Sequence, residues 1–439
     1  MRGTKVLERS LIEILKNETG ISVGCTEVAA VALASAWAGK ALEEDPDRVE
    51  ITLDRGTFKN GMRVGIPGTK EIGIPWAAAF GACIGKPREG LRILGNISPQ
   101  IIHNAKRLIT SHKIHITVNR MAKEIYIHCR LKGETSTAEA LISQRHDHIE
   151  QVLVNGKIYK GFKESRKSLR SKAKNRMDVR EIPFHALVPF IESVPFGKLS
   201  FLKKGFEINR NFAEHCLDHL DKMELSPILE KWSTEHQGSA IRPDEYGKLI
   251  TTVAVEARMK GFPKPVFTCG GSGNQGLVAS LPLLGYAEKA RFPADVLLRS
   301  VALSFLVTIY IKAYTGILSP ICGCGIGASI GVGCGLVYLM GGKQKEIDGV
   351  IKNMVGTTTG IICDGAKSGC AFKALLMLGM AFDSAKLAVE GVILDSGNGI
   401  LSKSVEETLA NLEHLTHFGM AHADDAILDV MTKEESCQM

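Results

Sequence analysis

Hydrophobic and polar positions alternate in short stretches in the first part of the chain and recur at helical spacing in the rest. Alternation indicates strands, whereas apolar residues three and four positions apart indicate helices. Asn155 and Gly156 add a tight hairpin turn to the alternating part. From about Pro183 onward the pattern is helical almost throughout, interrupted by Gly and Pro. The predicted strands are residues 49–53, 58–64, 114–118, 124–131 and 151–154.

These patterns predict an α+β fold with three consecutive parts. Residues 1–160 are expected to form a mixed α/β portion with an antiparallel sheet and the loop that carries Cys25. Residues 161–182 form a basic connecting segment. Residues 183–439 are expected to form a Gly-rich, all-helical portion that packs on the first and carries a group of cysteines. The 45 glycines of the chain favour close backbone packing and turns in that portion.

Composition and charge exclude several classes of protein. With 45% hydrophobic and 23% charged residues, the 439-residue chain is neither disordered nor collagen-like. Residues 157–180 contain ten Lys and Arg against two Asp and Glu, which gives this segment a net charge of +8. Because the whole chain has a net charge of +7, the other residues sum to −1. A solvated connection is the simpler interpretation, and an anion-binding arm is the alternative. We expect no nucleic-acid partner, because aromatic residues do not accompany the basic ones beyond Tyr159 and Phe162.

The N-terminal residues and the cysteines indicate a reducing compartment. Residues 1–20 form a charged amphipathic pattern without the apolar core of a secretory signal, so a cytoplasmic protein is expected. A disulfide framework is then not expected for the eleven cysteines, and clustered thiols point to metal binding or catalysis. The clustered thiols are Cys322, Cys324, Cys334, Cys363 and Cys370.

One uncharged stretch is long enough to test for a membrane span. Residues 313–342 contain no charged side chain, and this length exceeds the ~20 residues that cross a bilayer. The stretch also contains nine Gly, three Cys and Pro320, which make it a poor membrane helix. We therefore predict a buried element of a soluble protein and no membrane partner.

The segment of residues 24–27 is the first candidate for chemistry. Cys25 directly precedes a predicted helix, and a helix N-terminus lowers the pKa of a nearby thiol. Cys25 is therefore a candidate base or nucleophile. The alternative is a small residue buried in the core.

The Gly-rich segment of residues 269–276 is the second candidate. Residues 271–276 have the GxGxxG spacing, but no βαβ unit follows, which disfavours a dinucleotide site. A Gly-rich loop that opens onto a helix can still bind an anion through free backbone N–H groups. Ser272, Asn274 and Gln275 add neutral donors suited to a carboxylate. The alternative is a loop that only caps the helix.

The clustered cysteines are the third candidate, and two histidine pairs are weaker ones. Three thiolates on separate loops can hold a [4Fe–4S] cube and leave one iron open as a Lewis acid. Buried structural cysteines are the alternative reading of the same residues. The pairs His215 with His219 and His146 with His148 are expected to be surface residues.

Eight segments together resemble the L-cysteine desulfidase family, also called UPF0597, which is related to the iron–sulfur L-serine dehydratase alpha chain. The resemblance extends in order over nearly the whole chain. It departs from the family at Val28, where many relatives have Pro, and at the basic segment. The eight segments are residues 24–27, 59–62, 65–69, 95–99, 271–276, 322–324, 363–370 and 419–431.

The resemblance implies an activity and a cofactor. Family members convert L-cysteine to pyruvate, ammonia and hydrogen sulfide with an oxygen-labile [4Fe–4S] cluster and without pyridoxal phosphate. Cys363, Cys370 and one of Cys322 and Cys324 would hold the cluster. We favour Cys322, because Pro320 favours a loop at that point. Because a tail cysteine seals the open iron in related serine dehydratases, Cys437 near the C-terminus is a weaker candidate for that role.

The resemblance also implies the remaining site residues and the assembly. Cys25 matches the proton acceptor, and Ser272, Gly273, Asn274 and Gln275 would bind the substrate carboxylate. Thr69 and Asn96 lie in matching segments and are also expected at the substrate site. Relatives suggest a homodimer. Two other functions stay open, namely an L-serine dehydratase with the same cluster chemistry and an iron–sulfur or thiol sensor.

Overall fold

The computed structural model describes residues 2–162, 178–235, 241–316 and 318–436. Most of the basic segment and Cys437 lie outside these residues. The predicted α+β fold is confirmed, with sheets in the N-terminal part and a mainly helical C-terminal part. The strands are β1 (Thr19–Val23), β2 (Arg48–Asp54), β3 (Ile114–Asn119), β4 (Tyr126–Lys132), β5 (Thr137–Ser143), β6 (Ile149–Val154), β7 (Lys157–Ile158) and β8 (Pro265–Cys269).

Sixteen helices of the described residues account for most of the remaining structure. They are α1 (Arg2–Glu18), α2 (Thr26–Leu42), α3 (Arg55–Gly61), α4 (Gly73–Ile84), α5 (Pro99–Thr110), α6 (Leu187–Ser193), α7 (Ser200–Leu217), α8 (Ser226–Glu235), α9 (Pro243–Met259), α10 (Gly273–Ala290), α11 (Ala294–Thr315), α12 (Ser329–Leu339), α13 (Gln344–Thr358), α14 (Gly369–Val389), α15 (Val405–His414) and α16 (Ala423–Ser436). Short 3-10 and π-helical turns connect several of them.

The larger sheet has six strands in the order β3-β2-β4-β5-β6-β7. All neighbouring pairs are antiparallel except β2 and β3, which run parallel. The predicted hairpin turn between β6 and β7 is present, because Asn155 and Gly156 both have positive φ, 47° and 75°. The inward positions of β4 and β5 are buried, and they pack against the Ala-rich helix α2.

Helix α2 is buried along nearly its whole length between the sheet and α4. Small residues permit this close packing, since a Cβ on Gly81 would lie 2.2 Å from the carbonyl oxygen of Ala32. The buried helix fixes its own N-terminus, where Cys25 and Glu27 lie, in the interior of the protein.

Residues 58–64 do not form the predicted strand. Residues Arg55–Gly61 are helix α3 instead. The cause is local, because the Asp54 carboxylate caps the helix by accepting a hydrogen bond from the Thr57 backbone N–H at 2.8 Å. The helix turns Lys59 and Asn60 toward the cysteine-rich segments, which a strand would not do.

A two-stranded antiparallel ribbon joins the N-terminal and C-terminal parts. In it β1 pairs with β8, from Thr19 opposite Cys269 to Val23 opposite Pro265. Cys25 follows β1 and the Gly-rich loop follows β8, so the ribbon anchors both segments to one part of the molecule.

The uncharged stretch of residues 313–342 is a buried element, as predicted. It contains the end of α11, a π-helical turn at Cys324–Ala328, and α12, in which all positions but one are buried. In the described part of the chain, α11 is long and apolar enough to cross a membrane, but 72% of its most apolar window is buried inside the protein. Burial of that degree is typical of a core helix in a soluble protein.

Candidate active site

Cys25 lies at the N-cap position of α2 and is buried. Its Sγ donates a hydrogen bond to Glu27 Oε2 at 2.7 Å. Burial raises the pKa of Cys25 well above its ordinary value, the Glu27 carboxylate raises it further, and the Arg258 guanidinium opposes both. In this structure Cys25 is therefore a neutral thiol bonded to a carboxylate.

Glu27 is a buried carboxylate that accepts three hydrogen bonds. Besides the Cys25 thiol, the Thr26 hydroxyl donates to Oε2 at 3.0 Å and the Asn60 amide donates to Oε1 at 3.0 Å. Burial works to raise the pKa of Glu27, but the charge of a protonated His146 and the hydrogen bonds from Cys25 and Thr26 outweigh it and lower the pKa to about 2. Glu27 therefore stays ionised beside Cys25.

Asn60 connects this pair to the cysteine-rich segments. While its amide nitrogen donates to Glu27, its Oδ1 accepts a hydrogen bond from Cys363 Sγ at 3.7 Å. The adjacent Lys59 is only 2% exposed and bonds to Asp424 on α16 at 2.6 Å. Burial raises the pKa of Cys363, and the Lys59 ammonium counteracts that rise. A continuous set of polar contacts thus joins Cys25 to Cys363.

The segments that carry Cys322 and Cys363 pair with each other. The Cys322 N–H donates to the Ile361 carbonyl at 2.8 Å, and the Cys363 N–H donates to the Pro320 carbonyl at 2.7 Å. The Sγ atoms of Cys322 and Cys324 are 3.5 Å apart. Because that contact stabilises the Cys322 thiolate, the pKa of Cys322 falls to about 7, whereas the pKa of Cys324 rises.

Cys370 lies in the first turn of α14 on a third segment. Burial raises its pKa to about 12, and negative charge on Cys322 or Cys363 raises it as well, so the three sulfurs share one region. Lys373 on the same helix donates to the Ile362 carbonyl at 2.8 Å and adds a positive charge there. Within the described residues, no three His, Cys, Asp or Glu side chains are close enough to hold a single metal ion.

The cysteine segments nevertheless suit a larger inorganic group. The ligands of a cube spread over its corners and lie farther apart than the ligands of one ion. Cys322, Cys363 and Cys370 come from three segments, and the Gly325 N–H donates to Cys322 Sγ at 3.3 Å. Lys59 and Lys373 supply positive charge beside the thiolates. The chemistry of this donor set therefore fits an iron–sulfur cube.

The Gly-rich loop begins α10, and its side chains have different roles. Ser272 caps the helix, because its Oγ accepts from the Gln275 N–H at 3.4 Å. Asn274 Oδ1 accepts from Arg258 Nη1 at 2.8 Å. Gln275 is buried against the segment that carries Cys322 and Cys324, since a Cβ on Gly323 would lie 2.5 Å from Gln275 Nε2. The Oε1 atom of Gln275 is buried and has no hydrogen-bond partner. The loop is thus next to Cys322 and Cys324.

The residue that links the loop to Cys25 is Arg258, which the sequence analysis missed. It lies in α9 and is 3% exposed. Its Nη2 donates to the Gly24 carbonyl at 2.6 Å, while Nη1 bonds to Asn274. The missed signal was an arginine inside a run, residues 253–259, that is entirely buried and apolar apart from Arg258 and Glu256.

Thr69 and Asn96 lie at the edge of this region. The Thr69 hydroxyl donates to the Ile66 carbonyl at 3.0 Å and accepts from the Glu71 N–H at 3.1 Å, so it holds its own loop. That loop packs beside Gly24, where a Cβ would lie 2.5 Å from Pro67. Asn96 is exposed and follows a turn, Pro87–Gly95, whose last residue packs against Val23.

His146 was expected at the surface, but its Nε2 is buried without a hydrogen-bond partner. Burial lowers the pKa of His146, and the nearby Glu27 carboxylate opposes that shift. It lines a cavity of about 670 Å³ together with Lys312 and Ser22, and the lining residues of this cavity include neither Cys25 nor the clustered cysteines. The ring centroids of His215 and His219 are 4.5 Å apart at the end of α7, with the ring planes tilted by 50°.

Fold and site define a mixed α/β protein with a thiol at the N-cap position of a helix and three cysteine-bearing segments linked to it by polar contacts. Residues 89–429 match the family described as serine dehydratase alpha chain. The chain is 36% identical to a UPF0597 protein of Caldanaerobacter subterraneus and 37% identical to one of Clostridium tetani, and each alignment covers 97% of this chain and 98% of the relative. A UPF0597 protein of Clostridium botulinum is 34% identical over 98% of both chains.

The chain therefore belongs to the serine dehydratase alpha chain family, a family of iron–sulfur lyases of the serine dehydratase type, and to its UPF0597 branch. The resemblance found in the sequence is thereby confirmed at the level of the family. The match covers the Gly-rich loop and all clustered cysteines, while Cys25 and Glu27 precede it and are covered by the UPF0597 alignments.

Proposed function

We propose that this protein is an L-cysteine desulfidase, which eliminates sulfide from L-cysteine and yields pyruvate, ammonia and hydrogen sulfide. The observation that carries the proposal is the set of contacts from Cys25 through Glu27 and Asn60 to Cys363. It brings a thiol suited to proton transfer next to thiols suited to hold an iron–sulfur cluster. A β-elimination needs a base at Cα and a means of stabilising the leaving group at Cβ, and these two groups meet both needs.

Cys322, Cys363 and Cys370 would hold the cluster in this proposal, and Cys324 would pack beside Cys322. A [4Fe–4S] cluster with one iron free of protein ligands supplies a Lewis acid for the departing sulfur. Lys59 and Lys373 offset the negative charge of the thiolates. Lys59 is itself held by Asp424, so α16 helps to fix this side of the site.

Cys25 removes the α-proton of the substrate in the proposed reaction. Its thiol must first lose a proton, and in the absence of substrate its pKa is raised. A substrate ammonium group placed on the Glu27 carboxylate would neutralise that charge and favour the Cys25 thiolate. Glu27 therefore has two roles, because it orients Cys25 and it provides the anion that an α-amino acid needs.

The bonds and electrons balance without a redox reagent. Cys25 takes the proton from Cα, the electron pair forms the Cα–Cβ double bond, and the Cβ–S bond breaks to release sulfide. The resulting aminoacrylate gains a proton at Cβ to become an imine, and water hydrolyses the imine to pyruvate and ammonia. Buried polar contacts hold the base in place, and misplacement by ~1 Å can cost ~10²-fold in rate.

L-Serine is the second candidate substrate, because the matching family is described as serine dehydratase alpha chain. The same residues would then expel hydroxide from Cβ. Thiolate is the better leaving group and the softer ligand for iron, which favours L-cysteine.

The test is anaerobic reconstitution with iron and sulfide, followed by assays of the products from each substrate. We expect equal amounts of sulfide and pyruvate from L-cysteine, with a higher kcat/KM than for pyruvate formation from L-serine. A higher kcat/KM for L-serine would assign the dehydratase function. No turnover of either substrate by iron-loaded protein would leave the sensor as the remaining function. We also propose a cytoplasmic homodimer without nucleic-acid or membrane partners.

A further inference from the structure

The cavity of about 670 Å³ that His146 lines has no part in the proposed reaction. It lies between α1, β1, α11 and the loop that joins β5 to β6, and we call it the α1–β1 cavity. The side chains of Glu13 and Asp147 at its edge are exposed to solvent, so a ligand can enter from outside. Its volume is typical of pockets that hold small organic molecules.

Three polar side chains of the α1–β1 cavity are incompletely paired. Ser22 is fully buried, and its Oγ has no hydrogen-bond partner. The Nε2 of His146 is also buried without a partner. The Lys312 ammonium donates to the carbonyl of Gly270, a neutral acceptor, and it forms no ion pair in the part of the chain that the structure describes. Because buried polar groups are normally satisfied, three such groups around one cavity indicate a ligand site.

The charges around this cavity favour a ligand with one negative charge. Three of its carboxylates already have arginine partners, in the pairs Glu13 with Arg9, Asp147 with Arg145, and Asp178 with Arg180. Burial lowers the pKa of Lys312, while the Glu18 carboxylate counteracts that shift without reaching the ammonium as an ion pair. One bound anion can therefore compensate the Lys312 charge, whereas a second negative charge would have no cation and would be repelled by Glu18.

The remaining wall of the cavity is apolar. Ile14, Ile125 and Ile309 line it and are each less than 10% exposed, and the half-buried Leu91 lies beside them. An inorganic anion would leave this wall in contact with water. A ligand with an aliphatic body would cover it, and burial of that body adds to the affinity.

We propose that the α1–β1 cavity binds a small aliphatic monocarboxylate, whose carboxylate meets Lys312, Ser22 and His146 and whose aliphatic body lies against the apolar wall. Lys312 supplies the charge, and the Ser22 hydroxyl and an Nε2–H of His146 supply hydrogen bonds. The site is distinct from the proposed substrate site, because its lining residues include neither Cys25 nor the clustered cysteines. It shares only Gly270 and Gly271 with the Gly-rich loop.

The test compares ligands that differ in one group at a time. Hexanoate has the carboxylate and the aliphatic body, hexanamide has a neutral amide in place of the carboxylate, and acetate lacks the body. Titration calorimetry of the reconstituted protein is expected to give about 10- to 100-fold tighter binding of hexanoate than of hexanamide, the scale of hydrogen bonds to a charged group. Hexanoate should also bind about 10- to 100-fold more tightly than acetate.

Equal affinity for hexanoate and hexanamide, or no binding of either, would overturn the proposal. Acetate binding as tight as that of hexanoate would also overturn it, because the apolar wall would then contribute nothing. None of these measurements requires turnover of L-cysteine. The carboxylate site therefore stands or fails separately from the desulfidase proposal.

Lys312→Met removes the charge and keeps a long apolar side chain. It is expected to lower the affinity for hexanoate by about 10- to 100-fold and to leave that for hexanamide unchanged. Equal weakening of both ligands would show that the lysine only maintains the fold, and it would refute the site. The matched control is Lys352→Met, since Lys352 also donates to a backbone carbonyl, that of Lys403, but does not line the cavity. Neither affinity should change in the control.

Ser22→Ala decides the question if Lys312→Met does not fold. The Ser22 hydroxyl has no hydrogen-bond partner in the protein, so its removal should not lower the midpoint of urea unfolding. The affinity for hexanoate should nevertheless fall by about 10-fold, because the bound carboxylate loses a donor. An unchanged affinity for hexanoate in Ser22→Ala would contradict the proposed position of the carboxylate and overturn the proposal.

Discussion

Replacing Glu27 by Gln should lower the pKa of Cys25. The Glu27 carboxylate lies 2.7 Å from the Cys25 Sγ, where its negative charge and its hydrogen bond both favour the neutral thiol. Gln has nearly the same shape and no charge. Removal of the charge therefore favours the thiolate, and the sign of the shift is downward, while burial continues to hold the pKa above its ordinary value.

The magnitude follows from the hydrogen bond that is lost. A hydrogen bond to a charged group contributes about 1.5–3 kcal/mol, which corresponds to about 1–2 pKa units at 1.36 kcal/mol per unit. The assay measures the rate at which iodoacetamide alkylates Cys25 as a function of pH, with mass spectrometry of the Cys25 peptide as the readout. In the variant this rate should begin to rise at a pH about 1–2 units lower than in the wild type.

The control for this experiment is Glu44→Gln. Glu44 holds the turn at Thr135 and Ser136 and does not bond to Cys25, so the pH profile should match that of the wild type. An unchanged profile in Glu27→Gln, or a shift to higher pH, would refute the electrostatic account of this pair.

Three further changes test other parts of the site. Cys25→Ser should keep the iron content and the visible absorbance of the reconstituted protein but abolish sulfide formation, and loss of iron would make Cys25 a cluster ligand instead. Cys322→Ala should lose iron while Cys324→Ala retains it, as measured by iron and sulfide analysis, and the opposite result would exchange their roles. Asp424→Asn should destabilise the protein by about 3–5 kcal/mol in urea unfolding, because it leaves the buried Lys59 ammonium without its partner, and an unchanged midpoint would show that this pair contributes nothing.

Local patterns were enough to predict the fold class and the turn between β6 and β7. Alternation and helical spacing depend on neighbouring residues, and the turn at Asn155 and Gly156 is fixed by two residues that tolerate positive φ. The error at residues 58–64 has a local cause as well, since the cap formed by Asp54 and Thr57 converts an alternating stretch into α3.

The electrostatic partners could not be predicted in the same way. Arg258 meets Gly24 across 234 positions of sequence, and Lys59 meets Asp424 across 365. No periodicity encodes such contacts, because they form only when the β1–β8 ribbon and the docking of α16 bring the segments together. His146 was misjudged for the same reason, since its buried Nε2 depends on the packing of the loop after β5 and not on its neighbours.

The most direct test of the central claim measures the products of L-cysteine in parallel with the iron content. Wild-type protein and Cys25→Ser, reconstituted anaerobically to the same iron content, are compared for sulfide, pyruvate and ammonia. The account predicts equal amounts of the three products from the wild type and none above background from the variant. Equal turnover by both proteins, or sulfide release without pyruvate, would contradict a site in which Cys25 and the clustered cysteines act together in β-elimination.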